Sequence, residues 1–389
     1  MPQSPNTMNG MITDALVMRQ FGDRLHLERV RVNGPGENEV LVEMVATGIC
    51  HTDLICISGR LPFPTPTILG HEGAAIIRAV GKNFTSSCSP GDQVLLTFDS
   101  CGYCTSCESN HAAYCHSFNI RNAPSNVGSD GETHLYTATS DSSPIWGKFF
   151  GQSSFARHAV VSPRSIVNLT VNCGLILARE ELQQLAPLGC GVQTGYGAVV
   201  NSLHVTSGSS LAVFGAGTVG LSAVLAARKA HVATIIVVDM IEERLEIAKE
   251  LGATHVLLGS RTDLVQEIKA ITVTTQGVQF AIDATGVVLV IETMMQSLGT
   301  MGKAVSIGMP PPKAELKIDI NVCISRGQSY LGCVEGDSVP DKLIPHLVME
   351  CLAGQFPLDK MVTSYKAADC NQAIADMRSG QAVKPILLW

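Results

Sequence analysis

The sequence predicts an α/β protein in which a β-rich part accompanies a doubly wound parallel sheet. Two observations carry this prediction. Up to about residue 190, glycine, proline and short alternating apolar runs dominate, and this pattern is typical of strands joined by tight loops. After Cys190, strand patterns alternate with helical patterns, and such alternation indicates a parallel sheet with helices on both faces.

Individual elements follow the same division. In the first part, the apolar runs at 39–49, 73–81 and 92–98 predict strands. In the second part, SSLAVFGAGTVGLSAVLAARKA predicts a strand, a glycine turn and a helix, and ATIIVVDM and IEERLEIAKELGA predict the next strand and helix. VQFAIDATG and GKAVSIGMP predict two further strands, and a mixed pattern returns near residue 330.

Charge and composition exclude several classes of function. The net charge is −7 and no basic residues cluster, which argues against binding to nucleic acid or to an anionic membrane. The N-terminal residues lack a basic segment followed by an apolar one, so we expect no secretory signal and a cytoplasmic protein. The apolar run that begins at Leu211 is interrupted by glycines and is not a membrane span.

Four of the 13 cysteines stand close together. Cys101, Cys104, Cys107 and Cys115 have the spacing C-x2-C-x2-C-x7-C, and four thiolates so spaced can converge on one zinc ion. A zinc ion with four cysteine ligands has no open coordination position, so this site would stabilise a loop and perform no chemistry. For most of the other cysteines we expect small buried thiols, since disulfides are not expected without a secretory signal.

A glycine turn predicts a dinucleotide site. Gly215, Gly217 and Gly220 form the pattern GAGTVG after a strand and before a helix, and Asp239 ends the next strand. The glycines let the backbone approach a pyrophosphate at the helix N-terminus. Asp239 would bind both adenosine ribose hydroxyls and repel a 2′-phosphate, which favours NAD over NADP. A turn used only for packing is the alternative.

Cys50 in GICHTD, His71 in GHEG and Cys190 in PLGCGVQTG are candidates for a second metal site. Two cysteines, one histidine and a water form a catalytic zinc arrangement with an open position. Their separation in the sequence does not identify such a site, and each residue taken alone is more often structural.

Together these segments resemble the zinc-dependent alcohol dehydrogenases of the medium-chain dehydrogenase/reductase superfamily. GICHTD, GHEG, the cysteine quartet, GCGVQTG, GAGTVG and VVD occur in that family's order and spacing over nearly the whole chain. GHEGAAIIRAVG, FFGQSSFARHAVV and GCVEGDSVP are most similar to its aryl (benzyl-type) branch. The resemblance implies a GroES-like catalytic domain at 1–191 and 331–389, with a structural-zinc lobe at about 99–116, and a Rossmann NAD-binding domain at 192–330.

The resemblance also implies roles around the catalytic zinc. Cys50, His71 and Cys190 would bind it, and Glu72 would lie behind it and enter the coordination shell during ligand exchange. Asp53 would orient His71 through a hydrogen bond. Thr52 would accept the substrate hydroxyl proton, and His51, near the pyrophosphate, would pass it to solvent.

Further roles concern the coenzyme and the substrate. The remaining coenzyme contacts implied are Thr194, Gly215, Gly217, Thr218, Val219, Gly220, Asp239, Arg244, Ile307 and Lys384. Lys384 would reach the pyrophosphate, and Arg244 would neighbour Asp239. Substrate walls are implied at Leu61, Thr97, Phe98, Trp146, Phe149, Phe150, Ile307 and Met309. For the wall residues, core packing is an equally good interpretation, and Arg244 and Lys384 are alternatively solvated surface charges.

Two positions depart from the family pattern. Ala75 stands where a second glycine usually follows GHE, and Ile55 stands where many relatives carry a second relay histidine. With Ile55 in place, the proton would leave through His51 or through water.

We therefore expect reversible hydride transfer between NAD and a primary alcohol or aldehyde, aromatic or bulky and unsaturated, with two zinc ions per chain. A homodimer or homotetramer is implied, and binding of nucleic acid or membrane is not expected. One alternative is an NADPH-dependent aldehyde reductase of a biosynthetic pathway. Another, of a different class, is a non-catalytic zinc-binding interaction module, and a third is a family member that kept the fold for a binding role.

Overall fold

The computed structural model describes residues 10–83, 87–126, 131, 134–138 and 142–389. The chain forms two compact units. The first, called here the split unit, comprises residues 1–190 and 339–389, and the second, called the continuous unit, comprises residues 191–338.

The secondary structure is as follows. The strands are β1 Met11–Met18, β2 His26–Val32, β3 Val40–Gly48, β4 Thr67–Ile68, β5 Gly73–Val80, β6 Gln93–Leu96, β7 Leu135–Thr137, β8 His158–Val161, β9 Ile166–Asn168, β10 Ser210–Phe214, β11 Thr234–Asp239, β12 His255–Leu258, β13 Val278–Asp283, β14 Leu298–Ser306, β15 Ser329–Gly332, β16 Val362–Lys366 and β17 Lys384–Leu388. The α-helices are α1 His51–Ile57, α2 Thr105–Glu108, α3 Phe118–Asn122, α4 Leu169–Cys173, α5 Arg179–Gln184, α6 Gly191–Gly197, α7 Thr218–Lys229, α8 Glu242–Leu251, α9 Leu264–Ile271, α10 Val288–Gln296, α11 Ile320–Arg326, α12 Pro340–Leu352 and α13 Cys370–Ser379. Within the described ranges, no helix is long and apolar enough to cross a membrane.

The split unit is built on two sheets. A four-stranded antiparallel sheet has the order β4-β1-β2-β7. A seven-stranded sheet has the order β16-β17-β3-β5-β6-β9, and β8 also pairs with β3. The strands predicted at 39–49, 73–81 and 92–98 are present as β3, β5 and β6. The strand β3 is buried at every position except Glu43, because sheet neighbours and helix α5 cover it.

The pairing of β3 with β5 brings two predicted metal ligands together. The strands are antiparallel, and Thr47 lies opposite Gly73 at the end of the ladder. Cys50 follows the end of β3 by two residues, and His71 precedes the start of β5 by two. Both therefore emerge at the same edge of the sheet, although 20 other residues separate them in the sequence.

The continuous unit contains one parallel six-stranded sheet of order β12-β11-β10-β13-β14-β15. This arrangement confirms the doubly wound α/β fold that the alternating pattern predicts. The second domain boundary falls at residue 339 and not at 331. The boundary lies there because β15 pairs with β14 and because the turn at Glu335–Asp337 packs against α6 of the same unit.

Candidate metal centre and coenzyme site

The side chains of Cys50, His71, Glu72 and Cys190 converge in the split unit. Each offers one ligand atom, and these atoms all lie within 4.8 Å of one another. Cys50 precedes the first residue of α1 and Cys190 precedes α6, so both thiols project from the loop that begins a helix. The structure thus joins three residues that no local spacing relates.

Asp53 fixes the orientation of His71. Its Oδ1 atom lies 3.2 Å from His71 Nδ1 and accepts a hydrogen bond from Gly70 N, and its Oδ2 accepts one from Cys50 N at 2.9 Å. The imidazole is buried, and its Nε2 has no hydrogen-bond partner among the described residues. A buried ring nitrogen without a partner is costly, and a bound metal ion would satisfy it.

The electrostatics of this cluster favour a cation. A hydrogen bond with Cys190 is the main cause that lowers the pKa of the Cys50 thiol well below its usual value. Burial disfavours the charged form of His71, but Asp53 and Cys50 outweigh burial and raise the pKa of His71 well above its usual value. Two thiols and an imidazole that stabilise positive charge among them fit a zinc ion, with one position left for substrate or water.

Lys384, which the resemblance assigns to the pyrophosphate, lies beside this centre. Its ammonium group donates to both carboxylate oxygens of Glu72, at 2.8 and 2.9 Å, and to Ile49 O at 3.0 Å. Burial lowers the pKa of Lys384, but the Glu72 charge outweighs burial and raises it. All three N–H groups of this buried lysine thus have partners within the split unit, and its contact with a pyrophosphate stays a prediction.

The flanking residues of α1 take distinct positions. Thr52 is half-buried, and its Oγ1 lies 3.7 Å from Cys50 Sγ, at the edge of the metal centre. His51 is exposed. Ile55 is buried in the split unit, so its side chain is part of the packing and offers no alternative relay.

Aromatic rings pack on His71 and on one another at one side of the centre. The ring of Phe150 stacks on that of His71 at 4.6 Å between centroids, and Phe149 meets His71 edge-on at 5.4 Å. Phe118 packs against both Phe150 and Phe98, at 6.2 and 5.8 Å. The sequence motifs did not identify Phe118, because it lies in a polar segment and reaches the wall only through folding.

The other predicted wall residues lie in different surroundings. Thr97 is buried directly after β6, and Leu61 packs against the hydrophobic core of the split unit. The backbone of Trp146 pairs with Pro66 and Ile68. Ile307 and Met309 belong to the continuous unit and follow β14.

Cys101, Cys104, Cys107 and Cys115 converge as a second cluster. Their sulfur atoms all lie within 4.8 Å of one another, and the pairs Cys101–Cys107 and Cys104–Cys107 are 3.8 and 3.5 Å apart. Four sulfurs around a zinc ion with Zn–S bonds of about 2.3 Å are roughly 3.8 Å apart. The observed geometry therefore matches a closed tetrahedral zinc site.

The dinucleotide turn lies between β10 and α7. Gly215 has a φ of +100°, and a side chain at Gly220 would meet Gly215 O at 1.8 Å. A side chain at Gly217 would enter open space beside the N-terminus of α7, which no described side chain caps. The turn thus leaves room for a phosphate at the N-terminus of α7.

Asp239 ends β11 beside this turn. Its carboxylate accepts hydrogen bonds from Ala216 N at 2.6 Å and Ile241 N at 2.9 Å, which fixes it at the edge where a ribose would bind. Arg244 is half-buried on the following helix α8. Thr218 and Val219 begin α7, and the packing of α7 on α6 brings Val219 next to Gly195.

Thr194, predicted to contact the coenzyme, is buried on α6, and its hydroxyl donates to Glu335 Oε2 at 3.3 Å. Glu335 was not among the predicted site residues. It lies in a turn in which Glu335, Gly336 and Asp337 all have positive φ, a conformation that residues other than glycine seldom adopt. The segment GCVEGDSVP contains it, but only the structure relates it to Thr194.

Comparison with known proteins agrees with the description of the split unit and of the continuous unit. The model of the alcohol dehydrogenase GroES-like domain matches residues 36–170, and the model of zinc-binding dehydrogenases matches residues 218–351. A geraniol dehydrogenase of Castellaniella defragrans is 38% identical over 99% of this chain and 100% of its own length.

Two solved structures are similar throughout. An alcohol dehydrogenase zinc-binding domain protein from Burkholderia ambifaria is 42% identical with a TM-score of 0.91, covering 98% of this chain and 99% of the other. The benzyl alcohol dehydrogenase of Acinetobacter calcoaceticus is 41% identical with a TM-score of 0.89, covering 97% and 99%. These findings confirm the predicted family, with its alcohol dehydrogenase activity, its zinc and its nicotinamide coenzyme. The chain belongs to the zinc-dependent alcohol dehydrogenases of the medium-chain dehydrogenase/reductase superfamily.

Proposed function

We propose that this chain catalyses reversible hydride transfer between NAD and a primary alcohol or aldehyde in which the reacting carbon adjoins an aromatic ring or a double bond. The observation that carries the proposal is that Phe150 stacks on His71 and Phe149 meets it edge-on, because the two rings line the metal centre with apolar aromatic surface. Geraniol and benzyl alcohol, named for two similar proteins, both have an unsaturated group beside the carbinol carbon.

The proposed mechanism assigns a task to each residue. When bound, zinc supplies a Lewis acid for the substrate oxygen, and the nicotinamide ring accepts or returns the hydride. Cys50, His71 and Cys190 would hold the zinc in a site with one open position, and Asp53 would keep His71 Nε2 aimed at it.

Proton transfer would use the start of α1. The hydroxyl of Thr52 would take the proton of the alcohol during oxidation and return it during reduction. His51, which is exposed on the same turn, would exchange this proton with solvent. The buried rings of Phe98 and Phe149 would keep water away from the reacting carbon.

The preference for NAD is proposed from Asp239. A carboxylate at the end of β11 accepts hydrogen bonds from ribose hydroxyls and repels a 2′-phosphate. Two zinc ions per chain are proposed from the two ligand clusters. A cytoplasmic location stays a prediction from the sequence.

The proposed oligomer would form through the edge strand β15. All four residues of β15 are exposed at the end of the six-stranded sheet, and the neighbouring α11 exposes Ile320 and Ile324. An exposed apolar edge strand is a template for pairing with a second copy of the same strand. Leu331→Lys should therefore shift the molar mass measured by light scattering to that of a monomer, and an unchanged mass would exclude this interface.

Initial rates on a panel of alcohols test the proposed function. Benzyl alcohol, geraniol and ethanol, each with NAD and with NADP, should give the highest kcat/KM for the first two substrates with NAD. A preference for ethanol would contradict the substrate class. A preference for NADP would contradict the coenzyme and favour the aldehyde reductase alternative.

A further inference from the structure

The segment that carries Phe149 and Phe150 has an unusual backbone. Lys148, Phe150 and Ser153 have φ values of 57°, 54° and 53°, in the left-handed region that residues other than glycine rarely adopt, and Gly151 has a φ of 69°. Such conformations persist where surrounding contacts demand them, and they concentrate at functional sites. Three side chains of this segment, Phe149, Phe150 and Gln152, contact His71 or its backbone.

Gln152 is fully buried and joins three backbone groups. Its Nε2 donates to His71 O at 2.9 Å and to Thr97 O at 3.0 Å, and its Oε1 accepts from Gly73 N at 3.2 Å. Because two carbonyls require the amide NH₂ as donor, the orientation of the side chain is determined by its partners.

The side chain of Gln152 makes its hydrogen bonds just beyond the point where the pairing of β5 with β6 ends. The ladder between β5 and β6 ends at the pair Ala74–Leu95. Beyond that pair the strands lead to His71 on one side and Thr97 on the other, and Gln152 bridges their carbonyls. Removing the bridge would take one hydrogen bond from each of these two buried carbonyls and from Gly73 N.

We propose that Gln152 is a positioning residue that holds the backbone of His71 for metal binding and couples it to the substrate wall at Thr97. Asp53 and Phe150 restrain the imidazole ring, whereas Gln152 restrains the backbone that carries the ring. The proposal rests on the proposed function, because it takes His71 as a ligand of the catalytic zinc.

Gln152→Met tests it, because methionine keeps the length and volume of the side chain and makes none of the three bonds. Gln152→Glu keeps the volume and the bond accepted from Gly73 N, and it replaces the donating NH₂ with a carboxylate oxygen that repels the two carbonyls. Gln93→Met is the matched control. Gln93 is also buried in the split unit, and its side-chain amide makes two hydrogen bonds with the backbone of Leu177, at 2.8 and 2.7 Å. It makes no hydrogen bond with the metal ligands.

Three measurements distinguish a role of Gln152 in positioning His71 from a role in the stability of the fold alone. They are the rate of zinc transfer to a chelator, the visible absorption of protein with cobalt in the catalytic site, and kcat with KM for benzyl alcohol. Both Gln152 variants should release the catalytic zinc about 10- to 100-fold faster, the range for partners that orient metal ligands. They should also shift the cobalt bands and lower kcat more than they raise KM.

Gln93→Met should lower only the melting temperature. The role of Gln152 is overturned if its two variants match Gln93→Met in zinc release, cobalt spectrum and kcat, while the wild type binds two zinc ions. A wild type with only one zinc ion would instead overturn the proposed function itself. If Gln152→Met does not fold, Gln152→Glu carries the same test with the same two outcomes.

Discussion

Lys384 donates to both carboxylate oxygens of Glu72, and the two side chains are almost completely buried beside the metal centre. The two residues are 312 positions apart in the sequence. The pair balances the charge of a buried carboxylate that has an oxygen within 4.8 Å of the thiols and the imidazole.

The first prediction concerns this ion pair. Lys384→Met should lower the free energy of unfolding by about 3–5 kcal/mol, because it leaves a buried carboxylate without its partner. The double variant Glu72→Gln with Lys384→Met should recover most of the loss. Urea denaturation of the two single variants and the double variant measures the coupling. Additive losses in the double variant would show that the pair does not interact energetically.

A second prediction concerns the thiols of the quartet after metal removal. Backbone hydrogen bonds from His116 and Cys107 lower the pKa of Cys104 to about 6, whereas burial raises the pKa of Cys107 to about 12. At pH 7 the metal-free quartet should therefore contain a reactive thiolate at Cys104 and a protonated thiol at Cys107.

Alkylation with iodoacetamide, followed by peptide mass spectrometry, measures this difference. In the chelator-treated protein, the rate at Cys104 should rise with a midpoint near the same pKa of about 6, and Cys107 should stay slow. In the untreated protein, bound zinc should protect all four cysteines. Equal rates with and without chelator would mean that the quartet holds no metal.

The third prediction concerns the quartet, whose zinc is expected to stabilise the fold and to take no part in catalysis. Cys107→Ser should remove the zinc of the quartet and destabilise the protein first, because loss of a bound metal is among the few single changes that cost about 4 kcal/mol or more. Turnover should fall only as the folded fraction falls. Cys173→Ser, outside both clusters, is the control for the same change of atom. Normal melting with abolished turnover would contradict the structural role.

The fourth prediction concerns coenzyme choice. Asp239→Ser should lower the preference for NAD over NADP by about 10- to 100-fold, since hydrogen bonds to a charged group contribute about 1.5–3 kcal/mol each. Asp319→Ser removes a charge from the N-cap of α11 in the same unit and should leave the preference unchanged. Ratios of kcat/KM for the two coenzymes measure both effects. An unchanged ratio in Asp239→Ser would show that the carboxylate does not select the coenzyme.

Features that depend on neighbouring residues could be predicted from the sequence, whereas contacts between residues far apart in the sequence could not. The strand β3 and the turn at Gly215 were predictable, because their patterns lie within a dozen residues. The position of Lys384 was not, because a lysine in the apolar segment KPILLW carries no local sign of its buried partner. Only the fold brings Glu72 to it.

Gln152 and Phe118 illustrate the same limit within the site. Gln152 reaches His71 across 81 positions of sequence, and a lone glutamine in a loop has no spacing that indicates its bonds. The metal ligands Cys50 and Cys190 were named through resemblance to a family. Their spacing alone would not have related them, because tertiary pairing of β3 with β5 and the turn before α6 create the cluster.

The zinc content of the wild type and of Cys190→Ser tests the central claim most directly. Elemental analysis, with benzyl alcohol turnover on the same samples, should find two zinc ions per wild-type chain. It should find one in Cys190→Ser, with at least a 1,000-fold loss of kcat, or about 4 kcal/mol of transition-state stabilisation. Cys370→Ser, the same change at another buried thiol of the split unit, should keep both zinc ions and turnover. Two zinc ions or undiminished turnover in Cys190→Ser would contradict the assignment of Cys50, His71 and Cys190 as the catalytic centre.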